Sequence, residues 1–148
     1  MMFSAAKGHK VVDTSSADTV GTVSGFLVEP STHSIVALRV KKTETGEVIR
    51  WRDITAFGSE AVTVPRAGVV TDTDAELEAL GDKTRELVNK RILTSAGDEL
   101  GTVQDIDFDT ETGALTTFLL DGAPDVSADR LIGVGSYAVV VRAEPHGS

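Results

Sequence analysis

Fourteen residues near the start of this chain return 80 residues later. Lys10–Val23 reappears as Lys90–Val103, with Lys, Thr, Ser, Asp, Gly, Thr and Val recurring in register. Phe57–Val64 returns as Val134–Val141 at a shift of 77, so the second copy has lost three residues in between. A unit of about sixty residues is too long for a solenoid repeat and suits a small domain. The repeat therefore divides the chain into a first unit over 1–66, a linker over 67–86 and a second unit over 87–148. Residues 7–66 and 87–143 are expected to share one strand order.

Within each copy the grammar is that of strands. Val36, Leu38 and Val40 alternate with Ala37, Arg39 and Lys41, and Thr43–Gly46 turns the chain into Val48–Arg52. Alternation around a short turn containing glycine is a hairpin signature. Asp109–Gly113 marks a second such turn; its counterpart in the first copy is Glu29–His33. His33 stands where the second copy has Gly113, and histidine tolerates a left-handed backbone less well, so a looser turn is expected there. Closely spaced short strands with turns between them point to an all-β fold of two small barrels. One segment departs from this. Thr73-Asp74-Ala75-Glu76 has capping-box spacing, with Thr73 as the cap. Leu77, Leu80, Thr84, Leu87 and Val88 then fall on one helical face, so a short helix carrying a buried stripe is expected to join the barrels.

Charge is unevenly divided. Residues 1–70 carry 8 Lys/Arg against 7 Asp/Glu, and residues 71–148 carry 6 against 16, so the net charge of −9 lies entirely in the linker and second copy. An acidic surface repels phosphate backbones and suits a basic protein partner, or else serves solubility alone. The chain has no cysteine, which excludes disulfides and thiolate chemistry and fits a reducing cytoplasm. No apolar run is long enough to cross a membrane, and Met1–Lys7 is too short for a signal peptide, so a cytoplasmic protein without membrane insertion is expected.

No catalytic, cofactor or metal motif emerges. Asp105, Asp107, Asp109 and Glu111 alternate into a turn, but Thr110 and Thr116 occupy the positions where a calcium loop needs Gly and Glu. Side chains two residues apart on a strand lie about 7 Å apart, too spread to wrap one ion, so a solvated acidic face is expected. His9, His33 and His146 lack metal spacing, and no serine sits in a nucleophile elbow. One feature remains as a candidate interaction surface. Strand parity puts Arg39, Lys41, Arg50 and Arg52 on one face of the first hairpin, with Trp51 on the opposite side as a core or rim anchor. Such a face suits an acidic protein, a phosphate or the acidic half of a second copy of this chain; a solvated hairpin is the plainer alternative. In the second copy Leu119 and Asp121 replace Arg39 and Lys41.

Gly101–Gly113, together with Gly21-Thr22-Val23, Trp51-Arg52-Asp53-Ile54 and the closing Gly-Ser-x-Ala-Val-x-Val, resembles the PRC-barrel family. That family includes the cytoplasmic domain of the photosynthetic reaction-centre H subunit and the C-terminal domain of the ribosome-maturation factor RimM. The resemblance implies a six- or seven-stranded barrel used as a protein adaptor, without an active site or cofactor. The functional expectation is an interaction module with a protein partner, and the charge contrast leaves homo-oligomers open. The alternative is a ribosome- or RNA-processing-associated factor that binds a basic ribosomal protein.

Overall fold

The computed structural model describes residues 1–44, 46–84 and 87–143, except for the side chains of 81–84. Among the described residues the chain forms two sheets of six strands. The first contains β1 (Lys10–Asp13), β2 (Thr19–Glu29), β3 (Ser34–Lys41), β4 (Val48–Arg50), β5 (Ala56–Phe57) and β6 (Ala61–Val64). The second contains β7 (Arg91–Thr94), β8 (Glu99–Phe108), β9 (Leu115–Leu120), β10 (Val126–Ser127), β11 (Leu131–Val134) and β12 (Val139–Val141). The spatial orders are β4-β3-β2-β1-β6-β5 and β10-β9-β8-β7-β12-β11, which is one topology used twice. In each, a single 3-10 turn joins the two edge strands, Trp51–Asp53 in the first and Ala128–Arg130 in the second. Each sheet is thus a barrel-like layer around an apolar interior.

Three irregularities recur in both copies, and the second sheet adds one of its own at Leu131/Gly133. The register slips at Val11/Val12, Val23/Gly25 and Leu27/Val28 in the first sheet, and at Ile92/Leu93, Val103/Asp105 and Asp107/Phe108 in the second. A bulge bends its strand and raises the local twist, so matched bulges give matched curvature. The first strand corrects the sequence alignment by one residue. Val11 pairs with Val62 and Ile92 with Val139, so β1 and β7 correspond at a shift of 81, and Lys10 is equivalent to Arg91, not to Lys90. Burial dictates this. Val11 and Ile92 are both fully buried, whereas a shift of 80 would set Arg91 in the interior position of Val11.

The two sheets share one continuous core, and they meet through equivalent turns. Ser34 bridges Ala114, with Ile35 N–H donating to Gly113 O at 2.8 Å and Leu115 N–H donating to His33 O at 2.7 Å. These residues lie 80 apart, so a local two-fold axis relates the halves. An interface of this kind is self-complementary, like that of a symmetric dimer. His33 and Gly113 both adopt left-handed backbone, φ 55° and 79°. The His33 turn is not loose, because His33 Nε2–H also donates to Leu131 O, at 2.9 Å. Gly113 is needed twice over: its φ favours glycine, and a Cβ there would stand 3.0 Å from Trp51 Cε2.

Aromatic rings fill the junction. Phe108 of β8 has centroids of Phe3, Phe26, Phe57 and Trp51 at 5.7, 5.8, 5.4 and 6.3 Å. The segments preceding the two copies cross over. Helix α1 (Phe3–Ala6) packs on β8, and helix α2 (Ala75–Thr84) packs on β2. Asp105 receives Ser4 of α1, and Asp107 receives the Met1 ammonium at 3.0 Å and Thr116 Oγ1 at 2.7 Å. The alternating acids are therefore partly engaged in packing α1 against the second sheet, and Asp109 caps its own turn.

Candidate functional site

The cationic hairpin face is only partly as parity suggests. Gly25, Arg39 and Val48 are cross-strand partners, as are Leu27, Ala37 and Arg50, and both rows lie on the outer face of β2–β3–β4. Lys41 continues that face and is exposed. The strand ends at Arg50, however, so Arg52 sits exposed in the 3-10 turn. Trp51, in the same turn, is half-buried, stacked 5.8 Å from Phe57 and set edge-on to Phe108. It is an anchor of the junction between the sheets.

Helix α2 covers this outer face. Leu77, 3% exposed, completes a cluster with Leu27, Ala37 and Val48. The cap is Asp74, not Thr73: Asp74 Oδ1 accepts the Leu77 amide at 2.9 Å, and Asp74 Oδ2 accepts Arg50. The Leu77 amide, with Arg50 beside it, holds the Asp74 carboxyl below its ordinary value. Leu80 is half-buried, and Leu87 and Val88 lie beyond the helix, so the stripe on the helix itself reduces to Leu77 with Leu80 at its margin, while Leu87 is buried as expected, in the main core. The side chain of Thr84 lies outside the described residues. Ahead of the helix, Thr71 pairs with the free edge of β4 through Val48. Asp13 ties the linker from the other side, taking Ser15 Oγ at 2.6 Å and Ala67 N–H at 3.2 Å. The Ser15 hydroxyl is the main cause of the lowered pKa of Asp13.

A second surface escaped the sequence reading. Among the described residues, the exposed large hydrophobics are Ile132, at 49%, and Tyr137, at 66%. Both belong to the β11–β12 hairpin, on the edge of the second sheet. Arg91 lies over the Tyr137 ring, 4.7 Å from its centroid, donates to its hydroxyl at 3.0 Å and pairs with Glu99 at 3.2 Å. Lys90 Nζ braces the hairpin turn through Gly135 O at 2.8 Å. The copies serve as each other's control. At the shift of 77, Thr55 and Glu60 stand where Ile132 and Tyr137 do; Lys10 stands for Arg91. Setting the copies side by side would have found this polar-to-apolar exchange. Read alone, residues 131–141 look like an ordinary closing hairpin.

A cleft of about 390 Å³ lies between α1, β2 and β8. Ser24 and Gln104, the equivalent bulged residues of the two copies, both line it. Its acidic group, Asp105, is already bonded to Ser4. Among the described residues no cluster of His, Asp or Glu could hold a metal ion.

Residues 82–144 match the family model of the PRC-barrel domain, a protein-interaction type of fold. No curated protein sequence matches the chain. No helix among the described residues is long and apolar enough to cross a membrane.

Proposed function

We propose that the PRC-barrel domain at residues 82–144 makes this protein a non-catalytic docking module, with the β11–β12 hairpin as its contact surface. The observation that carries this reading is the exposure of Ile132 and Tyr137 where the first copy, with the same topology, has Thr55 and Glu60. The fold does not need these apolar groups, and burying them requires a partner. Tyrosine and arginine are residue types in which binding energy concentrates. Tyr137 is also held in place by Arg91, which lowers the ordering cost of docking. The net charge of −9 favours a basic partner, drawn in by the long-range field and held by the apolar pair.

The test is affinity capture from the host lysate with the parent chain and with an Ile132→Thr/Tyr137→Glu double variant. Both positions are exposed, so the melting temperature should hardly move. The captured proteins should be lost. Basic ribosomal proteins among them would narrow the partner to the ribosome-associated class. An unchanged set of captured proteins would refute the hairpin as the contact surface.

A further inference from the structure

The outer face of a small barrel is ordinarily wet, and in the second copy three of its positions are polar. Asp107, Thr117 and Asp125 stand where the first copy has Leu27, Ala37 and Val48. In the first copy these three are fully buried, and Leu77 of α2 is clustered with them. Arg50 borders this apolar patch on one side and Arg39 on the other. Helix α2 meets the patch as a ligand would, with Asp74 on Arg50 and Leu77, three residues on, over the leucine–alanine–valine floor. The match is incomplete. Arg39 Nε is buried and has no hydrogen-bond partner among the described residues.

Helix α2 is poorly suited to stand alone. Its described part has ten residues and it has ended by Leu87, so it does not exceed the roughly 12–15 at which isolated helices are marginal, and Gly81 lies within it. Its helicity therefore depends on docking, which places it among the elements that open first. We infer that the outer face of β2–β3–β4 is a groove for an acidic helical segment with Asp-x-x-Leu spacing, and that α2 occupies it in cis until a partner helix of that chemistry displaces it. A longer acidic helix would also bring a carboxylate to Arg39. This groove is separate from the β11–β12 hairpin, so either surface can fail its test without the other.

The probe is a fluorescent peptide with the sequence of residues 71–84, titrated into the full chain and followed by anisotropy. An Asp74→Ala/Leu77→Ala double variant weakens the occupant in cis and should bind the peptide at least tenfold more tightly than the parent chain. Adding Arg50→Glu should abolish that binding. If the opened variant stays folded, as judged by a cooperative melt, and binds no peptide, the groove is refuted. Binding that ignores Arg50→Glu refutes it equally. Should the opened variant not fold, the parent chain with excess peptide decides by deuterium exchange. Faster exchange at residues 75–80, with Leu27 and Ala37 still protected, supports displacement, and unchanged exchange overturns it. If parent chains fill the groove of the opened variant in preference to the peptide, the occupant is a second copy and the partner helix is ruled out.

Discussion

Replacing Phe108 with alanine should destabilise both halves of the molecule at once. Phe108 belongs to the second sheet and is 1% exposed, yet its ring neighbours are Phe3, Phe26, Trp51 and Phe57, all from the first copy or the segment ahead of it. Truncating a buried phenylalanine costs about 3–5 kcal/mol, from lost transfer energy and the cavity left behind. Against a typical total of about 5–15 kcal/mol, that is a large share. For a chain of this length the melting temperature should fall on the order of 10 °C. Trp51, the chain's one tryptophan, sits in the first copy against Phe108, so its fluorescence reports on the junction. Far-UV circular dichroism reports on both sheets. With one shared core the two signals should give coincident transitions, and in Phe108→Ala both should move together. A variant whose dichroism splits into two steps, with the fluorescence midpoint unmoved, would refute the shared core.

Gly113→Ala forces a side chain into left-handed backbone and against Trp51, so a loss of about 2 kcal/mol is expected by chemical denaturation. Leu77→Ala should cost at least about 2 kcal/mol, and Leu77→Asp should lower the melting temperature more than Leu80→Asp, because Leu80 is only half-buried. The carboxyls of Asp13, Asp74 and Asp107 are held below their ordinary value of 3.8 by hydrogen bonds they accept as anions, chiefly from Ser15, the Leu77 amide and Thr116. Their contribution is complete above that value and disappears as pH falls through the lowered ones. Thermal melts should therefore be nearly flat in this respect above about pH 5 and fall steeply below about pH 4.

The repeat made the shared topology legible, because turn glycines and alternating apolar residues recur wherever strands must turn and bury one face. The one-residue slip in β1 was hidden by identities at Lys10, Thr14 and Ser15; Lys10 and Ser15 are exposed, and surface or turn identities of this kind do not fix register. Burial fixes it, through Val11 and Ile92. Val48–Arg52 alternates as a strand does, which hides the 3-10 turn at Trp51; that turn becomes visible only when the two edge strands have to be joined. By alternation alone the outer face of β2–β3–β4 shows its cations, Arg39, Lys41 and Arg50. Leu27, Ala37 and Val48 beside those cations already required a cover, and two-sided burial weakens the alternation that would have shown it.

The most direct test of the docking account is a photo-crosslinking amino acid placed at Tyr137 and, in a separate protein, at Glu60, its equivalent in the first copy. Both chains would be illuminated in host lysate. The account predicts covalent adducts of the same partner from position 137 and none from position 60. Adducts from position 60 alone, or equally from both, would contradict it.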